Sequence, residues 1–196
     1  MPRTPKPEGS EPHVFFLDRE NDDFLSARTK EMLRSFSEVL NSELDFLRLW
    51  GLTKISLPRL SFAAANIRAT PMQFVQSLVV AEALKVPPAP PTKAPPPKTK
   101  EARVRRSILF GAPSVALIGH YSVVNRTEFS DTLNDLLNFS RTYDLPPHLH
   151  AALTAHAAAQ GGSLRDFVLT LIADTTARLP EPPTKIPSTG RSKTHK

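Results

Sequence analysis

The stretch YDLPP at residues 143–147, which has the features of a short strand ending at Leu-Pro, is the starting point for predicting the fold. An apolar-striped helix follows as far as Gln160, where a glycine pair ends it. Ser163 comes next as a helix cap, because a serine hydroxyl oxygen can accept a bond from a free amide at a helix start. A longer helix runs over 164–179, with Phe167 as its first buried position. The stretch therefore predicts a strand-helix-helix unit.

The same order recurs at 52–85, where TKISLP at 53–58 is the strand-like run. Thr70 is the predicted cap there, and Pro71 takes the first helical position, where proline is tolerated. Phe74 then matches Phe167 as the first buried position. Such internal repeats indicate units that bury their apolar faces against one another.

A third copy is predicted at 104–141, with RRSILF at 105–110 as its strand. Asn125 and Glu128 have the spacing of a capping box, in which each side chain satisfies a free amide at the helix start. The sequence therefore predicts a helix N-terminus at Asn125.

The fourth copy, at 13–51, is the most degenerate, with VFFL at 14–17 as its strand-like run. Its main link to the others is FSEVLNSEL at 36–44, which parallels FSDTLNDLL at 129–137. The sequence therefore predicts four strand-helix-helix units, each of which is one half of a larger block.

A proline-rich run at 86–103 separates these halves into two blocks, 13–85 and 104–179. Its prolines lack amide donors and fix φ, so we expect a semi-rigid polyproline linker. The segments 1–12 and 180–196 share this composition and are expected to be disordered tails. Each block is predicted to hold two strand-helix-helix halves and to complete its own core.

Composition bounds the class of protein. The 196 residues are 40% hydrophobic, which permits a core, and the chain has no cysteine, which excludes disulfides and thiolate zinc sites. The first residues lack the apolar run of a signal peptide, and no stretch approaches eighteen apolar residues. The sequence therefore predicts a cytoplasmic protein without a membrane span.

The net charge of +6 is unevenly distributed. Residues 86–106 carry a net +5 and residues 180–196 a net +3, whereas 13–51 has five Lys and Arg against eight Asp and Glu. Basic charge in flexible segments suits long-range attraction to phosphates. It is equally typical of linkers that are merely well solvated.

The strand-helix-helix order resembles the ribbon-helix-helix (MetJ/Arc) family of DNA-binding proteins, as a single-chain tandem similar to TraY-type and T-DNA-transfer accessory proteins. The resemblance implies a mainly α fold with short β-ribbons, here two tandem ribbon-helix-helix pseudo-dimers built from four halves. In that family two halves intertwine, and their antiparallel ribbon enters the major groove of double-stranded DNA.

Side chains alternate across a strand, so one face of each strand is expected to read bases. Lys54 and Arg105 can donate to guanine, and hydroxyls can bond several bases. The predicted base contacts are Lys54, Ser56, Arg105, Ser107 and Thr142. The first strand presents Val14 and Phe16, which carry no polar code.

The resemblance also implies phosphate contacts at the start of the second helix of each half, where free amides and the helix dipole favour an anion. The predicted phosphate contacts are the caps Thr70, Asn125 and Ser163 and the arginines Arg103, Arg106, Arg126 and Arg165.

The function expected is sequence-specific DNA binding by a monomeric bacterial transcriptional regulator of mobile-element or plasmid genes. One alternative is an accessory protein of the relaxosome in conjugative DNA transfer, so RNA polymerase or a relaxase are the implied protein partners. Two rivals of other classes are a protein-interaction module whose first block no longer binds DNA, and a helical regulator without ribbons.

No enzyme is expected, and no catalytic residue, cofactor or metal is predicted. His148 and His150 have the spacing of a metal-binding pair, but on a helix their side chains diverge too far to share one ion.

Overall fold

The computed structural model describes residues 11–87 and 103–183, which form two strands and eight helices. The predicted tails and linker lie largely outside the described residues. The elements in chain order are β1 Glu11–Leu17, α1 Arg19–Met32, α2 Phe36–Leu49, α3 Ser56–Asn66, α4 Pro71–Ala83, β2 Val104–Phe110, α5 Ala112–Asn125, α6 Phe129–Thr142, α7 Pro147–Ala159 and α8 Leu164–Arg178.

The two strands pair with each other as one antiparallel ribbon, with Glu11 opposite Phe110 and Leu17 opposite Val104. Val14 and Ser107 face each other at its centre. The ribbon therefore joins the two blocks instead of forming separately in each. The prediction of four halves and two pseudo-dimers was wrong, because residues 11–87 and 103–183 contain only these two strands, although the mainly α class is correct.

The predicted strand at 53–58 is a turn followed by the start of α3. The Thr53 hydroxyl and carbonyl oxygens both accept bonds from the Ser56 amide, at 3.2 and 3.1 Å, so this segment is a turn that leads into α3. Pro58 follows in the first turn of α3, where proline is tolerated. A strand-like apolar run was in this case a helix start.

The predicted strand at 143–147 is also a turn, and it leads directly into α7. Tyr143 and Asp144 have φ values of 51° and 52°, two consecutive left-handed residues that an extended strand cannot contain. The Leu145 amide donates to the Thr142 carbonyl oxygen at 3.0 Å and closes the turn.

The chain is instead a duplication of one longer unit. The order β1-α1-α2-α3-α4 repeats as β2-α5-α6-α7-α8, and equivalent residues lie 93 positions apart, as Trp50 and Tyr143 do. Both are left-handed C-caps and both are 1% exposed. Val14 and Ser107 are also equivalent, so a pseudo-twofold axis passes through the centre of the ribbon.

The helices form two layers below the ribbon. In the first layer α2 and α6 contact each other, and each also contacts the strand of the other half. The second layer contains α3, α4, α7 and α8, with α3 against α8 and α4 against both α7 and α8. One hydrophobic core includes buried residues from both strands and both halves, such as Phe15, Leu40, Phe110 and Leu133. The blocks therefore do not have separate cores.

Two equivalent asparagines fasten each strand to the opposite half. Asn134 on α6 donates to the Phe16 carbonyl oxygen at 2.9 Å and accepts from the Asp18 amide at 2.9 Å. Asn41 on α2 donates to the Leu109 carbonyl oxygen at 3.1 Å and accepts from the Gly111 amide at 3.0 Å. These bonds satisfy backbone groups where each strand passes into a helix. They explain why 36–44 and 129–137 are the most alike segments of the two halves.

Candidate nucleic-acid interface

The ribbon has one buried and one exposed face. Phe15, Leu17, Ile108 and Phe110 point into the core, with exposures between 0 and 6%. The alternate positions form the outward face, which consists of Pro12, Val14 and Phe16 from β1 and Arg105, Ser107 and Leu109 from β2.

The outward face pairs polar with apolar side chains. Arg105 lies opposite Phe16, and Ser107 lies opposite Val14. Phe16 and Val14 are 46% and 54% exposed, large values for apolar side chains in a folded protein. An arginine can bond guanine O6 and N7, and an apolar side chain can contact the thymine methyl group. The face thus has side chains that could distinguish bases, with the polar donors on β2 and the apolar side chains mostly on β1.

The first turns of α2 and α6 flank the ribbon. Phe129 of α6 stacks on His13 with ring centroids 5.3 Å apart, and the Phe16 amide donates to Ser130 Oγ at 3.2 Å. On the other side, the Arg106 guanidinium lies 4.8 Å from the centroid of the Phe36 ring. The start of the second helix of each half is therefore beside the strands.

Sequence reasoning missed one cap at this position. Ser35 is the N-cap of α2 and forms a complete capping box with Glu38. The bonds from Ser35 lower the pKa of Glu38. The Ser-x-x-Glu spacing at 35–38 is the signal that could have identified it. The N-cap of the equivalent helix α6 is Glu128, so a carboxylate is present at both helix starts.

Asn125, predicted as the cap of this helix, is instead the last residue of α5. The prediction was wrong because the turn between α5 and α6 occupies the three residues after it. Arg126 lies in that turn with φ of 56° and is exposed. Arg34 is exposed in the corresponding turn before α2. The two arginines therefore lie in equivalent turns, one residue apart in the repeat, because Arg126 corresponds to Leu33.

Three other predicted phosphate contacts are engaged by carboxylates. Arg103 pairs with Asp18 at 3.0 Å and with Asp131 at 2.7 Å, and the hydrogen bond with Asp131 raises its pKa. Arg106 makes a bidentate contact with Asp22, at 2.6 and 2.7 Å, which likewise raises its pKa.

Arg165 pairs with the buried Glu43 at 2.7 Å and lies 3.8 Å above the Phe46 ring. Arg165 is on α8, in the second layer. Like Arg103 and Arg106, Arg165 is therefore already paired with a carboxylate of the protein.

The remaining predicted site residues lie away from the strands. Thr70 and Ser163 are N-caps, as predicted, and the structure shows a complete capping box at each, but they begin α4 and α8 in the second layer. Lys54 is in the turn before α3, Ser56 is the first residue of α3, and Thr142 is the last residue of α6. The base contacts expected of Lys54, Ser56 and Thr142 depended on strands that are absent from the described residues.

The charge of the described part differs from that of the whole chain. Residues 11–87 and 103–183 contain 16 Lys and Arg and 17 Asp and Glu, against a net +6 for the whole protein. The excess of basic residues therefore belongs to segments 1–10, 88–102 and 184–196.

Comparison with family models, with curated proteins and with solved structures found no match. None of the helices within 11–87 and 103–183 has the length and apolarity needed to cross a bilayer. In those same ranges, no group of three or more histidine, aspartate or glutamate side chains is arranged to hold a metal ion.

Proposed function

We propose that the protein binds double-stranded DNA as a monomer, with its one ribbon in the major groove, and regulates transcription from a mobile element or plasmid in the bacterial cytoplasm. The observation that carries the proposal is the exposed two-stranded ribbon with Arg105 and Ser107 on its outward face. The role and the cytoplasmic location come from the resemblance to ribbon-helix-helix regulators.

The geometry supports this binding mode in two ways. A two-stranded antiparallel ribbon fits the width of the major groove. Both strands come from one chain, so a second copy is not needed to complete the ribbon. The outward face is not symmetric, as the ribbon face of a homodimer would be. Arg105 occupies the position equivalent to Pro12, and Leu109 occupies the one equivalent to Phe16. An asymmetric, non-palindromic target is therefore expected.

Phosphate contacts are assigned to Arg34 and Arg126, in the turns on either side of the ribbon. Both are exposed, whereas Arg103 and Arg106 are held by carboxylates. The described residues are close to neutral, so the basic segments outside them would supply most of the non-specific attraction to DNA.

Replacing Arg105 by alanine should weaken binding to the preferred DNA site by about 1–3 kcal/mol and relax the preference for one base pair. The reason is the loss of a donor to a guanine edge, while the fold keeps its buried ribbon face. The measurement is fluorescence anisotropy on a site obtained by selection from random DNA, together with the same site altered one base pair at a time.

Two matched variants act as controls. Arg126→Ala should weaken binding about equally for all sequences and reduce the salt dependence by about one phosphate contact. Arg178→Ala removes the same charge from the exposed end of α8 and should leave both properties unchanged. If Arg105→Ala behaves like Arg178→Ala, the outward face does not read bases.

The apolar half of the outward face favours one rival, a protein-interaction module. Val14 and Phe16 together present a hydrophobic surface that a protein partner could cover. Failure of the selection to enrich any DNA sequence would favour that rival. A relaxosome accessory role would use the same DNA-binding face, with a relaxase as the additional partner.

A further inference from the structure

A cavity of about 540 Å³ lies between α1, the end of α6 and the start of α8. This volume is within the range of small-molecule sites. Its wall combines apolar and basic side chains, among them Phe24, Arg28, Arg141, Tyr143, Leu164 and Arg165. The cavity belongs to the junction of the two helical layers and includes no residue of the ribbon.

The basic side chains in the wall outnumber their acidic partners. Glu43, which is 1% exposed, lies 2.9 Å from Arg28 Nε and 2.7 Å from Arg165 Nη1. Arg141 pairs with Glu20 at 3.0 Å. Two arginines share one carboxylate and a third has its own, so the group keeps one formal positive charge. An anion entering the cavity would balance that charge.

Three donors in the wall have no hydrogen-bond partner among the described residues, and one of them, Arg28 Nε, has only its ion-pair contact with Glu43. Tyr143 is only 1% exposed, and its hydroxyl has no hydrogen-bond partner. Nε of Arg141 is likewise buried without a hydrogen-bond partner. Burial raises the pKa of Tyr143, so the hydroxyl keeps its proton. A buried donor without an acceptor costs free energy, which a bound acceptor would recover.

The duplication supplies an internal comparison. The pseudo-twofold axis places Tyr121, Leu136 and Met72 at the positions equivalent to Arg28, Glu43 and Arg165, so both sites draw residues from both halves. The same arrangement of helices is therefore built at the equivalent site without these three ionised side chains. Because buried charges are expensive to desolvate, the Arg28–Glu43–Arg165 cluster is not explained by the needs of the fold.

We propose that this cavity binds a small organic anion, a carboxylate or a phosphate monoester. The acidic group accepts bonds from the Tyr143 hydroxyl and from the arginines, and the apolar body lies against Phe24 and Leu164. The site is independent of the ribbon, so the proposal does not rest on DNA binding.

The test uses the full-length protein, with benzoate, phenyl phosphate and inorganic phosphate as probes and benzyl alcohol and benzylamine as neutral and cationic controls. Calorimetric titration and thermal unfolding should show saturable binding and a raised midpoint with benzoate or phenyl phosphate. Benzyl alcohol and benzylamine should have no effect. Inorganic phosphate alone should bind more weakly, because it lacks the apolar body. No binding of either organic anion would overturn the proposal.

Tyr143→Phe separates ligand binding from folding. It removes only an unpaired hydroxyl, so the unliganded midpoint should stay the same or rise, while affinity for the anion should fall about tenfold. The matched control is Tyr121→Phe, at the equivalent position to Arg28 in the other half, where the hydroxyl bonds to Thr70. Equal anion affinity in wild type and Tyr143→Phe would contradict the assignment.

Discussion

Cutting the chain within residues 88–102 should leave two fragments that do not fold alone. Residues 1–95 and 96–196 each contain one strand, but β1 pairs only with β2 in the described residues, and the core is common to both halves. A fragment would expose Phe15 or Phe110 and leave all of the interstrand hydrogen bonds of the ribbon unmade. We expect no cooperative thermal transition by circular dichroism for either fragment, and a cooperative transition for the equimolar mixture.

A disulfide between the two fragments tests whether their strands pair as they do in the intact protein. The chain has no cysteine, so Val14→Cys in one fragment and Ser107→Cys in the other introduce a single pair. Directly opposed residues of an antiparallel ribbon are about 4.5–5.5 Å apart at Cα, within the range of a disulfide. Oxidation of the mixture should join the fragments. Oxidation should not join the fragments when Val14→Cys is combined with Ala155→Cys, which lies on α7. A cooperative transition of 96–196 alone, as stable as the intact protein, would contradict the intertwined fold.

Glu43→Leu should destabilise the protein by about 3–5 kcal/mol, the second large effect expected. The substitution leaves Arg28 and Arg165 near the core without their common carboxylate, and it removes the acceptor of Ser140 Oγ at 2.9 Å. Chemical denaturation measures the loss. The control is Asp45→Leu on the same helix, whose exposed pair with Arg48 should contribute only about 0–1 kcal/mol.

The pseudo-symmetric site suggests how to restore the stability that Glu43→Leu loses. The triple variant Arg28→Tyr, Glu43→Leu and Arg165→Met copies Tyr121, Leu136 and Met72. It should recover most of the stability that Glu43→Leu loses, because apolar side chains replace the whole cluster. It should also lose anion binding. A triple variant as unstable as Glu43→Leu would show that the fold itself needs the ion cluster.

Local patterns were predictable from the sequence. Thr70 and Ser163 cap helices as expected, because capping is decided within four residues. The likeness between 36–44 and 129–137 was visible, and it contains both fastening asparagines. The strand at 105–110 was also placed correctly, with Arg105 and Ser107 exposed.

Longer-range features were not predictable. Short apolar runs such as 53–58 fit a strand and a helix start equally well, so the repeat was divided into units that were too short. The pairing of β1 with β2 joins residues far apart in the chain, and no local pattern specifies it. The Arg28–Glu43–Arg165 cluster was not predictable for the same reason, because its members come from three helices that are far apart in the chain.

The most direct test of the central claim, that the outward face of the ribbon contacts DNA, is site-specific photocrosslinking. A photoreactive amino acid is placed at position 107, at the centre of the ribbon, or at position 155, exposed on α7 in the second layer. With the selected DNA site, position 107 should crosslink to the bases and position 155 should not. Crosslinks from position 155 with none from position 107 would contradict the account, and would move the DNA interface to the second helical layer.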